Sequence, residues 1–279
     1  MLLPVLFPDR AVTGEVPAPG ETRGKAIMAK ISALILSKNE ERNIEDCIKS
    51  VLFCDEVLVI DDFSTDRTKE MAERLGARVL QRRMDGDWGG QRTFAIQNAA
   101  HEWILFVDAD ERVPEALAEE IRTVVAKGEK RACRIRRENR FHFNEATHGV
   151  LHPDYVMRFF PAENSRSEGL VHEKITAPYP GKNLKSPLYH YTYDSWEQYL
   201  GKLNHYTTLA AKTYREEGKR CNFFLDIVLR PVWAFIKVYF IERGFLDGKM
   251  GWILSVNHYF YTLNKYVKLY YLYKSDGKL

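Results

Sequence analysis

The sequence predicts an α/β fold: a mostly parallel central sheet flanked by helices, continued by an amphipathic helical region at the C-terminus. Three observations lead there. Short apolar runs rich in β-branched residues alternate with helix-period segments between residues 31 and 126, the pattern of βαβ units. Three of those runs stop at a polar or acidic group, and ligands of parallel sheets sit at the carboxyl ends of strands. The composition then changes: residues 182–279 hold 15 Lys/Arg against 8 Asp/Glu and 13 of the 15 tyrosines, whereas residues 1–181 hold 26 against 30.

Residues 1–28 read as a loose leader, broken by Pro4 and Pro8 and lacking the basic start of a secretory signal. Met28 is the expected start, because regular structure begins right after it. Residues 29–185 form the expected α/β domain. Ile31–Leu36 is a buried strand, and Ser37-Lys-Asn-Glu is a turn before a helix over 44–53, with Ile44, Cys47, Ile48 and Val51 at helical spacing. Val57–Ile60 is the second strand, ending in Asp61-Asp62. A polar turn, Ser64-Thr-Asp-Arg-Thr, opens a helix from Thr68 to Leu75, and residues 77–81 make a third strand. Residues 91–100 are expected to be helical, with Trp88, Gly89 and Gly90 as a mobile loop before them. Trp103–Val107 is a strand that stops at Asp108, and Pro114 occupies the first turn of a helix to Ala126. Residues 132–136, 155–160 and 169–175 alternate as strands of an antiparallel or mixed extension. After Pro187 the chain is expected to turn helical, so that residues 186–279 form the extension.

A chain of 279 residues, 45% hydrophobic and 28% charged, supports a large globular core. Its four cysteines show no CxxC spacing, which suits reduced thiols. No G-x-G-x-x-G, Walker A or G-x-S-x-G sequence occurs, so phosphates would not be held by a glycine-rich cradle. The basic residues lie in an apolar, aromatic tail, which argues against nucleic acid as a partner. Asn39/Glu40, Asp61/Asp62 and Asp108/Asp110 converge on one rim of the sheet. Two carboxylates at i and i+2 of a strand share a face and repel one another unless a cation lies between them. Mg²⁺ or Mn²⁺, completed by substrate phosphates, fits Asp108 and Asp110.

The segments LILSKNEERNIEDCIKSV, VLVIDDFSTDRT and WILFVDADERV resemble family 2 glycosyltransferases of the GT-A fold, a Rossmann-like architecture. The downstream GLVHEKI, HYTYDSWEQYLGKLNHYTTLAAK and RGFLDGKMGW extend the likeness to the subgroup of lipopolysaccharide-core β-1,4-glucosyltransferases. The resemblance implies an inverting transfer of a hexose from a nucleotide-sugar, with UDP-glucose the expected donor. It implies that Asn39, Glu40, Asp61 and Asp62 hold the nucleotide, and that Asp108 and Asp110 serve ribose, diphosphate and metal. Glu173 is the first choice as general base and Glu168 the second; His172 is a further metal ligand or diphosphate contact. Arg92 matches the position of donor-contacting basic residues, and Arg158 a contact to acceptor or phosphate; a surface salt bridge is the alternative for both. The implied acceptor is a lipid-linked glycan such as lipopolysaccharide inner core. Polyprenyl phosphate, a protein side chain and a catalytically silent membrane adaptor are the alternatives.

The tail segment FFLDIVLRPVWAFIKVYFI carries Asp226, Arg230, Pro231 and Lys237, which disfavours a membrane span. The three charges share one helical face, an interfacial pattern with Trp233, Phe235 and Tyr239 available for the headgroup zone. Lys265 and Lys268 among tyrosines suit anionic lipids, and a hairpin packed on the domain is the alternative. The expected location is peripheral, on the cytoplasmic side of the inner membrane. Deletion from about residue 222 is expected to leave a soluble protein.

Overall fold

A computed structural model describes residues 29–141, 148–168, 174–193, 195–275 and 277–278. Strand β1 (Ile31–Ser37) is buried along its whole length because it has parallel neighbours on both sides, β2 (Glu56–Asp61) and β4 (Trp103–Asp108). A strand covered on both faces carries a continuous apolar run rather than an alternating one, as ISALILS does. Its odd and even residues serve different layers. Ala33 and Ile35 pack under α1 (Ile44–Ser50), α2 (Thr68–Arg74) and α4 (Glu115–Ala126), while Leu34 and Leu36 join Ala95 and Ile96 of α3 (Trp88–Asn98).

With β3 (Arg78–Gln81) at one edge, the sheet runs β3-β2-β1-β4, all parallel, and the order reverses between β1 and β4. That reversal opens a crevice at the carboxyl ends of β1 and β4. Beyond β4 the sheet turns mixed. β7 (Asp154–Pro161) runs antiparallel to β4 and to β6 (Ala132–Phe141), and Trp103 stacks on Phe159 with centroids 4.7 Å apart. β10 (Gly181–Tyr193) is parallel to β6, and the two-residue β5 (Glu111–Arg112) pairs antiparallel with β10, placing His190 opposite Glu111. A small hairpin of β8 (Arg166–Glu168) and β9 (Lys174–Thr176) lies against α3. The observed architecture is the expected α/β sheet flanked by helices.

Several local expectations are corrected. Trp88, Gly89 and Gly90 are the first turn of α3 rather than a loop. Asp87 caps that turn by accepting from the Gly90 amide at 2.8 Å, and a Cβ at position 90 would lie 1.9 Å from the Asp87 carboxylate. The chain does not turn helical after Pro187. β10 continues to Tyr193, and Pro187 sits at a register shift of that strand, where a missing amide is tolerated. Residue 185 therefore lies inside a strand. Helix α5 (Trp196–Glu216) starts at a Ser195 cap.

The tail packs on the sheet. Phe141, Leu151, Tyr199 and Leu254 make one buried cluster shared by β6, α5 and α7 (Gly248–Lys274). Ala211, Tyr266, Leu269 and Leu272 make another between α5 and α7. Lys268 donates to Asn204, Thr207 and Thr208 of α5, and Lys265 lies over the Tyr214 ring, so both lysines face the hairpin rather than solvent anions. Phe235 and Tyr239 likewise stack on one another and meet Trp252 edge to face. Removing residues from 222 onward would take Leu254 from the first cluster and Tyr266, Leu269 and Leu272 from the second, exposing the apolar faces they cover.

The segment Phe223–Ile241 is one helical run, π-helical at both ends around α6 (Arg230–Ile236), with Pro231 in the first turn of α6. Phe223, Phe224, Trp233, Phe240 and Ile241 are all more than half exposed along it, while Asp226 is buried and ion-paired to Arg230 at 2.8 Å. Among the described residues no helix is long and apolar enough to cross a membrane.

Candidate active site

The crevice at the β1/β4 reversal is a cavity of about 520 Å³. Its floor comes from the strand ends (Leu36, Ser37, Asp62, Asp108), one wall from Trp88 and Gln91 of α3, and the opposite wall from His190, Thr192 and Tyr193 of β10 with Lys202 and Tyr206 of α5. A smaller cavity of about 290 Å³ shares Glu40, Asp110, Thr192 and Lys202 with it, and another of about 290 Å³ shares Tyr193 and Tyr206.

The three polar strand ends do meet on this rim, with different jobs. Asp61 is fully buried and turned away from the cavity: its carboxylate accepts from the Ser64 amide at 3.0 Å and from Gln81 at 2.9 Å. It pins the Asp-Asp-x-Ser turn. Asp62 lines the cavity, accepting from Lys38 at 2.7 Å and from the Met84 amide at 3.1 Å. Burial works to raise its pKa, but Lys38 and the Met84 amide outweigh it, so the carboxyl titrates below its usual range. Asn39 adopts the left-handed conformation (φ 55°) that asparagine tolerates. From there its side chain accepts from the Thr65 amide at 2.8 Å and its own amide donates to Ser64 at 2.9 Å. Asn39 thereby clasps the two turns together, while Glu40 faces both the main and the smaller cavity.

Asp108 ends β4 between two arginines. Arg92 reaches one carboxylate oxygen at 3.1 Å and Arg158 binds the other. Arg158 also donates to Glu111 at 2.7 Å, and the second Glu111 oxygen accepts from the Asp108 amide at 2.9 Å. Arg92 and Arg158 are buried rather than forming surface salt bridges, and Glu111 is fully buried. Burial opposes ionisation of Asp108, yet Arg158 and Arg92 hold its carboxyl well below the ordinary value. Glu111 is pushed the other way: burial raises it, with Arg158 pulling back.

Asp110 lies past the end of the strand and faces His190. Its carboxylate is 3.1 Å from His190 Nε2, while His190 Nδ1 lies 2.7 Å from the Asn139 side-chain oxygen. β10 and β6 register His190 against Asn139, and the Tyr191 amide donates to the Asp110 carbonyl at 2.8 Å, so the backbone holds this pair in place. With Nδ1–H donated to Asn139, a neutral His190 turns the Nε2 lone pair toward a carboxylate. Two acceptors facing one another call for a proton or a cation between them, and a second partner that fixes the tautomer is how histidine ligands are held. Among the described residues no group of three or more His, Cys, Asp or Glu converges as a complete ligand set. Asp110 and His190 fit a divalent cation whose remaining ligands come from substrate phosphates.

His190, Lys202, Tyr206 and Glu111 went unassigned in the sequence. The available signal for His190 was its place in LYHYTY, on the opposite strand face from the three tyrosines. Glu173 and His172 lie outside the described residues. Glu168 is described only as backbone of β8, next to Ser167, which exchanges hydrogen bonds with Thr93 of α3.

Residues 32–175 match Glycosyl transferase family 2. An uncharacterised glycosyltransferase of Rickettsia conorii is 31% identical over 88% of this chain and 91% of that protein. The lipopolysaccharide core biosynthesis glycosyltransferase LpsC of Rhizobium meliloti is 27% identical over 86% of this chain and 92% of its own length. Among solved structures, Staphylococcus aureus TarS 1–349 in complex with UDP superposes with a TM-score of 0.44 at 16% identity, covering 88% of this chain and 92% of that one. Glucosyl-3-phosphoglycerate synthase from Mycobacterium tuberculosis with Mn²⁺ and UDP-glucose gives 0.33 at 23% identity, over 40% and 44%.

Proposed function

This chain belongs to glycosyl transferase family 2 and is a glycosyltransferase, and from that premise we propose that it moves glucose from UDP-glucose onto a lipid-linked glycan of the lipopolysaccharide inner-core type. The transfer is inverting and divalent-metal-dependent, and the protein works peripherally at the cytoplasmic face of the inner membrane. The observation that carries the reading is the convergence of Asp62, Asp108, Asp110 and His190 on one cavity at the sheet's switch point.

In this reading Asp62 and Glu40 hold the nucleoside at the β1 and β2 ends. Asp108, kept ionised and immobile by Arg92 and Arg158, presents its remaining acceptor capacity to the ribose. Asp110 and His190 hold Mg²⁺ or Mn²⁺, which when bound neutralises charge on the diphosphate leaving group. Lys202, whose ammonium donates to the Thr192 carbonyl at 3.0 Å beside the Tyr193 ring, adds a second positive charge on the acceptor side. Tyr193 and Tyr206 connect this cavity to its aromatic neighbour, which suits an approaching sugar ring. Glu173 is the proposed general base for the acceptor hydroxyl, with Glu168 second. The resemblance to LpsC supports the acceptor class, and the exposed aromatics of the 223–241 helix support the membrane surface.

Calorimetry of UDP-glucose binding with and without Mn²⁺ tests the donor half. Asp110→Asn and His190→Ala are each expected to weaken Mn²⁺-dependent binding by about 10-fold or more while leaving metal-free binding unchanged. Equal Mn²⁺ dependence in both variants would remove these residues from the metal site, and no binding of any nucleotide-sugar would remove the proposal.

A further inference from the structure

A second large cavity, about 490 Å³, shares no lining residue with the catalytic one. It lies where the ends of β6 and β7 meet the turn after the 223–241 helix, and its charged lining is Arg136, Glu138, His148, His152, Glu242 and Arg243. The carboxylates there already have cations: Glu138 is held by Arg136 at 2.6 Å and Arg140 at 3.1 Å, and Glu242 by Lys237 at 3.1 Å. His148 is paired with Asp247 at 2.8 Å. Arg243 forms no ion pair among the described residues, and the buried Nε of Arg136 has no hydrogen-bond partner among them. With Glu138 and Glu242 each already held by a cation, Arg243 is left without a carboxylate partner among the described residues, beside a space large enough for a ligand.

The wall bearing Arg243 is built under constraint. Arg243 has φ 59°, which a long L side chain rarely adopts. The glycines after it pack tightly: a Cβ on Gly244 would lie 2.9 Å from the Val238 carbonyl, and one on Gly251 would lie 1.8 Å from the Gly244 carbonyl. The Gly149 amide donates to the Glu242 carbonyl at 3.0 Å, and the His148 amide to Asp247 at 2.7 Å. A rare backbone conformation held in place by its surroundings marks a position where side-chain placement matters. The same wall borders exposed apolar surface: Phe240, Ile241, Phe245 and Leu246 are all 46% exposed or more.

We propose that this cavity binds a phosphate group carried by an amphiphile, with Arg243 and Arg136 as its guanidinium donors and the neighbouring apolar residues receiving the chain. Guanidinium forks match phosphate geometry and form its stronger hydrogen bonds. The inference does not rest on the donor reading of the catalytic cavity.

The test is calorimetric titration of the full chain with three probes: monomeric dihexanoyl phosphatidic acid, inorganic phosphate and dihexanoyl phosphatidylcholine. Arg243→Asn removes the charge but keeps a residue that tolerates positive φ, and His152→Gln is the second variant. Unfolding temperature and UDP-glucose binding serve as fold controls and are expected to be unchanged in both. Phosphatidic acid is expected to bind wild type, and Arg243→Asn to weaken it about 10-fold, the loss of one charge-assisted hydrogen bond. Inorganic phosphate binding as tightly as phosphatidic acid would support the anion site and assign it to a free oxyanion. Phosphatidylcholine binding equally well, wild-type affinity in Arg243→Asn, or no binding of either phosphate probe would overturn the proposal.

Discussion

Replacing Arg158 with methionine asks whether the arginine cluster around Asp108 is structural. Arg158 is 4% exposed and Glu111 is fully buried, so the substitution leaves a glutamate without the cation 2.7 Å away. Removing one partner of a buried ion pair typically costs about 3–5 kcal/mol. The lower end applies here, since Asp108 retains Arg92 at 3.1 Å and Arg137 remains 3.7 Å from Glu111. For a domain of this size about 3 kcal/mol corresponds to a fall in Tm of roughly 6–12 °C. The pH dependence follows from the two carboxyls. Asp108, depressed by its arginines, contributes stability above the unfolded aspartate value that is lost as pH falls through its folded value. Glu111, raised by burial, costs stability above its folded value, and that cost vanishes as pH falls to the ordinary glutamate value of about 4.3. Without Arg158 the first contribution shrinks and the second cost grows. The gap between wild type and Arg158→Met is therefore largest near pH 8 and narrows toward pH 4–5. Urea unfolding at a series of pH values reads it directly. A gap under about 1 kcal/mol at pH 8, the scale of an exposed ion pair, or one independent of pH, would refute the reasoning.

Gly251→Ala should destabilise through a backbone clash, because its Cβ would stand 1.8 Å from the Gly244 carbonyl oxygen. A loss of about 1–3 kcal/mol or more is expected, and a melting temperature equal to wild type would show that α7 can shift freely there. Phe223→Ser with Phe224→Ser removes two side chains that are 64% and 61% exposed, so stability should hold while sedimentation with anionic liposomes falls. Undiminished sedimentation would take this helix out of membrane contact.

Much of the fold was legible because its signals are local. β1, β2 and β4 announce themselves as apolar runs, α1 by its spacing and α4 by Pro114 at its start. β10 was missed: the chain beyond Pro187 was expected to be helical, and the bulge that accommodates this proline in a strand depends on the register with β6. The site was legible only where it consists of strand ends. His190, Asn139 and Lys202 reach it through the parallel pairing of β10 with β6 and the docking of α5, contacts separated from Asp110 by up to 92 positions in the chain. The tail shows the same limit. Its aromatic and basic composition suited either a membrane-facing surface or a packed hairpin; Lys268, Phe235 and Tyr239 are turned onto neighbouring helices, and the exposed face belongs to Phe223, Phe224, Trp233 and Phe240.

The aspartate pair shows how a local rule fails at its boundary. Two residues at i and i+2 share a face only while the chain remains a strand, and β4 ends at Asp108. The Asp108 side chain still belongs to the sheet rim, where Arg92 and Arg158 neutralise it without any metal. Asp110 has already passed into the turn, where the Tyr191 amide holds its carbonyl and His190 meets its carboxylate. The charge on Asp108 is thus answered by two guanidinium groups, whereas Asp110 faces the second nitrogen of His190 and calls for a proton or a cation between them. A shared cation is not needed to explain why the chain tolerates both. What a cation does explain is the orientation of His190, fixed through Asn139 so that its second nitrogen faces a carboxylate. The case for metal therefore moves from the spacing of the two aspartates to a histidine eighty residues away, and Asp110 and His190 are the residues on which it stands or falls.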